Sequence, residues 1–420
     1  MDLIKRTEER YLIEASNSNK FLKEIESIVS PQVFPTNYNH TLYFNNNEHE
    51  VPFEISVKAR RYSSSPFDGK LNLDDEWIFE IKKDQASSAL RLKEKERKNL
   101  SLKKILDEVL RINGMPIQLK LQPYVADSYR RAHYVSKENE FRITIDDQID
   151  YFFFDKEFNG IKIGNEDYAR VEIKIHPDKT NSKNVQRIRE TLINFEAEPV
   201  ISKKDMAYNF LSKHLRDKHK YYVPNANIEI EAKLILDGAD QFVFHQIKKD
   251  FESGGINGFS VLNKFPYVLE TGELDHYLLN QNEFLRISTK GKSKRITRKS
   301  NVEILNDPFG LNCIVKRSEE KDSFTASILQ LPLKTIYRKR KYFLVENEIT
   351  KNSYCVLIDR CTHEQNELFQ MEIEGLLQFP SPDDENKMIW DISYITNEII
   401  KKYPVLKPAV LTKLNWLRNL

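Results

Sequence analysis

The chain has 420 residues, with 65 lysines and arginines against 63 acids and a net charge of +2, so it is not a nucleic-acid binder by bulk charge. That length suits two domains of about 200 residues, and 40% hydrophobic residues suffice for ordinary cores. With 12 glycines and no Walker-type or dinucleotide-type loop, phosphate must be held by side chains, and three cysteines are too few for a disulfide framework.

In chain order, the N-terminus carries Asp2, Lys5, Arg6, Glu8, Glu9 and Arg10 and no apolar run, so no secretory signal is visible. Arg6 to Leu12 reads as a first strand and His40 to Asn45 as a second, with His40 a structural histidine. Lys58-Ala59-Arg60-Arg61-Tyr62 is a basic strand. Lys58 and Arg60 share a face because strand side chains alternate. Ser63 to Ser65 reads as a loop, and Phe79-Glu80-Ile81-Lys82 as a Glu-x-Lys strand. Ser87 to Leu110, rich in leucine, lysine and glutamate, predicts a helix or a helix pair. Tyr129-Arg130-Arg131-Ala132, Arg142 to Asp146 and the aromatic run Tyr151 to Phe154 read as strands. Val171-Glu172-Ile173-Lys174 is a second Glu-x-Lys strand, Gln186 to Phe195 an amphipathic helix, and Ile201-Ser202-Lys203-Lys204 a terminal lysine strand. Arg216 to Lys220 is a solvated charge run, and Pro224 and Asn225 precede the next strand.

In the second half, Asn227-Ile228-Glu229-Ile230-Glu231-Ala232-Lys233-Leu234 alternates strictly between charged and apolar residues. Glu229, Glu231 and Lys233 therefore share one strand face. Two carboxylates about 7 Å apart repel unless a cation lies between them. Hard oxygen ligands point to Mg2+ or Mn2+. Further on come Phe284-Leu285-Arg286-Ile287-Ser288 and the basic stretch Lys290 to Lys299, which reads as a solvated face. Cys313-Ile314-Val315-Lys316-Arg317 follows, then Tyr337 to Tyr342, where Arg338 and Arg340 share a face. Val356 to Arg360 contains Asp359, and Phe369 to Glu374 repeats the paired-glutamate pattern with Glu372 and Glu374. Lys413 lies in Thr412-Lys413-Leu414. Cys313, Cys355 and Cys361 read as free thiols. No stretch approaches the ~20 apolar residues needed to span a bilayer. A cytoplasmic setting without membrane insertion is expected.

The Glu-x-Glu-x-Lys strand and the motifs after it resemble, in order, the triphosphate tunnel metalloenzymes of the CYTH superfamily. The first-half series resembles the VTC-type polyphosphate polymerase domain, a branch of that superfamily. The resemblance implies an α+β fold: two consecutive antiparallel β-barrels with charged lumens, covered by helices. The boundaries are 1–215 for a VTC-like domain, 216–226 for a linker and 227–420 for a CYTH-like domain. It implies metal binding by Glu229, Glu231, Asp359, Glu372 and Glu374, and in the first barrel by Glu8 and Glu172. It implies phosphate binding by Lys233, Arg286, Lys316, Arg338, Arg340 and Lys413. In the first barrel the corresponding set is Arg10, Lys58, Arg60, Lys82, Arg130, Arg142, Lys174 and Lys203. Glu229, Glu231, Lys233, Arg338 and Glu372 are the implied catalytic set. The chain departs from the family at Arg10, where lysine is usual, at Asn45, where aspartate is usual, and at Ser288, where a second arginine is usual.

The implied activity is metal-dependent cleavage of tripolyphosphate, a nucleoside triphosphate or an RNA 5′-triphosphate in the second tunnel. A polyphosphate polymerase or nucleotidyl cyclase is the first alternative. The other is a module that binds a polyanion or nucleotide in one or both tunnels without turnover, favoured by Arg10, Asn45 and Ser288.

Overall fold

In the computed structural model the described residues are 7–31, 37–45, 55–85, 92–111, 118–155, 157–219, 228–236, 242–262, 269–277, 284–290, 293–299, 303–323, 333–377 and 381–420. They fall into two units. One is Met1–Leu211 with Lys290–Lys292 and Ala326–Leu331; the other is Ser212–Thr289, Ser293–Thr325 and Pro332–Leu420.

Each unit is built on eight antiparallel strands. The first has β1 (Thr7–Glu14), β2 (Asn37–Asn45), β3 (Ile55–Ser63), β4 (Glu76–Gln85), β5 (Leu92–Ser101), β6 (Gln122–Ser136), β7 (Phe141–Phe154) and β8 (Tyr168–Ile175). They pair in the order β1-β8-β7-β6-β2-β3-β4-β5. The second has β9 (Ile228–Leu236), β10 (Leu269–Tyr277), β11 (Phe284–Lys290), β12 (Ser293–Lys299), β13 (Ile314–Ser323), β14 (Lys334–Asn347), β15 (Ser353–His363) and β16 (Asn366–Leu377). Their order is β9-β16-β15-β14-β10-β11-β12-β13, and β13 pairs back onto β9 to close a barrel. Each strand of the second order is the first-order strand plus eight.

The helices repeat as well. In the first unit α1 (Ser18–Ile25) leads to Val29–Pro31, which pairs with β6. After the short α2 (Leu102–Asp107) come α3 (Lys183–Asn194), Glu198–Pro199 paired with β1, and α4 (Lys203–His219). In the second unit α5 (Phe242–Glu252) leads to Phe259–Val261 on β14. Then α6 (Pro382–Lys402) precedes Leu406–Pro408, which pairs with β9, and α7 (Lys413–Arg418). The shared plan supports an origin by duplication.

Alternation explains why the apolar residues lie on the outer faces of the two units. On β7 and β8, Ile143, Ile145, Val171, Ile173 and Ile175 alternate with charged residues. They pack with Phe21 and Ile25 of α1 and Val185, Ile188 and Leu192 of α3. Ser182 starts α3 by accepting from the Val185 N–H, which satisfies an otherwise orphan donor. A capping box of Ser381 and Asp384, with a proline in the first turn, starts α6. Helix α6 lies close on β16: a Cβ added at Gly375 would come within 2.4 Å of the Met388 sulfur. No helix among the described residues is long and apolar enough to cross a membrane.

Three local readings differ from the sequence expectation. Leu92–Ser101 is a strand, β5, because pairing with β4 overrides the helix preference of its leucine, lysine and glutamate residues. Helix α4 runs to His219, so 216–219 is helical rather than linker; no proline or glycine interrupts it there. Lys203 begins a helix rather than sitting in a strand, because the Ser202 hydroxyl accepts from the Asp205 N–H and opens the first turn.

Candidate functional site

Directly opposed residues on paired strands share a face. In the second barrel Glu231 faces Glu374 and Lys233 faces Glu372 across β9 and β16. Arg340 faces Asp359, Arg338 faces Glu273, and Arg317 faces Glu229. These side chains meet in one lumen.

Inside it every described cation meets a carboxylate. Lys233 Nζ lies 2.9 Å from Glu231 and 2.8 Å from Glu372. Lys299 lies 2.7 Å from Glu229 and also contacts Glu319. Arg317 bonds Glu231 and lies 3.7 Å from Glu229. Arg340 donates two bonds of 2.8 Å to Asp359, a third of 3.3 Å to Glu372, and lies 3.8 Å from Glu374. Lys413 reaches in from the start of α7, 2.9 Å from both Asp359 and Glu372. Arg338 donates to Asp275 at 2.8 Å and bonds Glu273. Arg286 lies 3.9 Å from Asp275, and Ser288 donates to Asp275 at 2.6 Å.

Burial works to raise the pKa values of Glu229, Asp275, Asp359 and Glu372. The neighbouring lysines and arginines outweigh it and hold all four well below the usual carboxylate range. Glu374 goes the other way. Burial first, then Glu229, push its pKa up to about 8; Arg340 opposes, while Glu231 and Glu372 add to the rise. Burial and the three neighbouring carboxylates thus act together on Glu374, against Arg340.

Lys316 is not in this lumen. Its Nζ contacts Glu385 of α6 at 2.7 and 2.8 Å on the outer face, and Arg317 takes the inward place. The sequence reading missed Arg317, Lys299, Glu273, Asp275 and Glu319. Alternation from Glu229 across β13 would have found Arg317, had the strand register been known.

In the first unit, whose eight strands form a sheet with no closing pair among the described residues, Glu8 faces Lys174, Arg10 faces Glu172, and Arg131 faces Asp146 on the concave, charged face. Arg10 lies 2.8 Å from Glu8, and Lys174 lies 2.8 Å from Glu172 and 4.0 Å from Glu8. Arg131 donates two bonds of 2.6 Å to Asp146, which Lys203 also bonds. These cations outweigh the effect of burial and hold Asp146 down at about 2. Lys58 lies 3.4 Å from Glu80, and Arg60 is set among Tyr129, Arg131 and Glu80. Arg142 faces Lys174 across β7 and β8 but is exposed near the strand end. Lys82 lies two residues from Glu80 on β4; its side chain is outside the described residues.

Arg130 points away. It is bonded to Asp147 and 43% exposed, and Arg131 holds the inward place. His40 bonds the Ser128 hydroxyl at 3.1 Å and packs beside Phe67. Burial, then Arg61, lowers its pKa to about 4.

Among the described residues no three acids stand within reach of one metal position. The two lumens differ in how they suit one. The second gathers four carboxylates, Glu229, Glu231, Glu372 and Glu374, on two adjacent strands, and hard oxygen donors of that kind fit a divalent ion in donor chemistry. The first has Lys174 where the second has Glu374, and does not fit.

Residues 5–211 match the family model described as the VTC domain. No curated protein matches the chain in sequence. Among solved structures, a candidate adenylate cyclase from Vibrio parahaemolyticus is 15% identical, covering 50% of this chain and 99% of its own, at a TM-score of 0.30. The RNA triphosphatase domain of a mimivirus mRNA capping enzyme is 14% identical, covering 48% and 98%, at 0.25. The S. pombe RNA triphosphatase is 14% identical, covering 50% and 93%, at 0.25. The match to the VTC domain spans just under half of the chain, residues 5–211, and it is that part of the chain which is similar to the family.

Proposed function

We propose that the second lumen is the active site of a phosphohydrolase that cleaves a triphosphate-bearing substrate with Mg2+ or Mn2+. The observation that carries this is the cluster Glu229, Glu231, Glu372 and Glu374 on two adjacent strands, facing lysines and arginines across one enclosed space. When bound, the metal would neutralise that cluster and polarise a phosphoryl oxygen. Its ligands would be drawn from Glu229, Glu231, Glu372 and Glu374, with Asp359 as the further candidate. Arg286, Arg317, Arg338, Arg340 and Lys413 would exchange carboxylate partners for phosphate oxygens and stabilise charge growing on the transferred group. Lys233, between Glu231 and Glu372, keeps those two acids in place. A carboxylate of the cluster would take the proton of the attacking water.

Phosphate release should be followed with Mg2+ or Mn2+ on tripolyphosphate, ATP, GTP and a 5′-triphosphorylated RNA. Glu231→Ala and Glu372→Ala are each expected to abolish it. Normal activity in either variant sinks the roles given to those residues. A transferase reading is favoured by the VTC domain in the first unit. Long polyphosphate made from ATP would decide for it.

A further inference from the structure

The strands of the two units correspond residue by residue through their registers. Tyr11 pairs with Pro199 as Leu234 pairs with Pro408, each proline lying on the short edge segment after the covering helix. Arg10 therefore holds the place of Lys233, and Glu8 that of Glu231. Arg10 faces Glu172 as Lys233 faces Glu372, and Glu8 faces Lys174 as Glu231 faces Glu374. The triad of Arg131, Asp146 and Lys203 repeats as Arg340, Asp359 and Lys413. On the strands after β2 and β10, Arg60 falls opposite Thr41 as Ser288 falls opposite Asp275.

The frame isolates what changed. Glu374 in the second lumen is Lys174 in the first, a reversal of sign at one station. Arg60 stands where the second lumen has the neutral Ser288. The two glutamates at this end of the first lumen, Glu8 and Glu172, each have a lysine or arginine bonded to them, and Glu80 has Lys58 at 3.4 Å.

We propose that the first lumen binds a linear polyanion such as tripolyphosphate without a divalent cation. The Lys174 ammonium stands beside Glu172 and Glu8, at the station where the second lumen has Glu374, one of the proposed metal ligands. The proposal rests on the tunnel reading of both units. The chemistry is direct. An ammonium is a compact charge with three donors, suited to phosphate oxygens. Lys174 spends one on Glu172 at 2.8 Å, lies 4.0 Å from Glu8, and is 35% exposed, so the charge is open to an entering ligand. A tethered cation cannot be stripped by a chelator.

The test is calorimetric titration of the full chain with tripolyphosphate, in EDTA and then in Mg2+. One binding event is expected in EDTA, with a second appearing in Mg2+. Glu231→Gln should leave the EDTA-resistant event intact. Lys174→Gln should weaken it about ten- to hundred-fold, the loss of a charge-assisted contact. Lys174→Glu should abolish it in EDTA and restore it in Mg2+. Thermal melts of each variant separate lost binding from lost folding, and Lys174 is exposed enough for both changes to be borne. Binding in wild type only when Mg2+ is present overturns the proposal and leaves the tunnel reading standing. So does an EDTA-resistant event that Glu231→Gln removes and Lys174→Glu spares. No binding in either condition overturns the tunnel reading itself.

Discussion

Lys203 and Lys413 hold the same station in the two units. Each is the first residue of a helix, each follows a hydroxyl residue that caps that helix, and each sets its ammonium on a buried strand aspartate. The aspartates, Asp146 and Asp359, are also gripped by two parallel bonds from a strand arginine. The terminal helix of each unit is thus tied into the lumen by charge, where an ordinary barrel would use apolar packing.

That arrangement predicts a large stability loss when the anion is removed. Asp359→Ala removes the main partner of Arg340 and Lys413 and leaves both buried cations on Glu372, and breaking such a buried pair costs about 3–5 kcal/mol. Asp146→Ala should cost a similar amount through Arg131 and Lys203. Urea denaturation of each variant measures it. A loss below about 1 kcal/mol in both would show that the lumen charges are solvated rather than locked.

Neighbouring bases on β13 should behave oppositely. Arg317 bonds Glu231 inside the lumen, whereas Lys316 bonds Glu385 outside. Arg317→Ala should lower metal-dependent tripolyphosphate binding at least about ten-fold, the worth of a charge-assisted contact. Lys316→Ala should leave it unchanged and cost at most about 1 kcal/mol of stability, since its pair is partly exposed. Equal effects from the two would mean that the strand register is wrong.

Two buried histidines predict an acid limb in stability. His40 and His276 are each lowered to about 4, by burial first. The unfolded chain takes up those protons from about pH 6.5 downward. Stability from each is full above 6.5, falls as pH drops towards 4, and levels off below. Glu374, held up at about 8, contributes with the opposite sign, so the informative quantity is a difference between proteins. Thermal melts of wild type and His276→Gln between pH 7 and pH 4 should diverge, wild type losing more on acidification. Parallel curves would mean that His276 takes up its proton at the same pH in the folded and unfolded chain.

Strand alternation was legible from the residues alone. The spacing of Glu229, Glu231 and Lys233, of Arg338 and Arg340, and of Glu372 and Glu374 determined that each set shares a face, because a strand repeats every two residues. Order of motifs then pointed to two tunnels. Tertiary structure decided the rest. Where two bases are adjacent, as in Arg130-Arg131 and Lys316-Arg317, composition cannot say which one turns inward; only pairing with a distant strand does. The partners of the lumen cations, Asp275, Glu273 and Glu319, lie on strands far away in sequence, so no local pattern marks them. Leu92–Ser101 was misread as helix because propensity is a weak local preference and pairing with β4 is worth more. Sequence determined which faces carry charge, since that depends on a backbone period. Structure decided which charges meet, since that depends on how strands separated by many residues come into register.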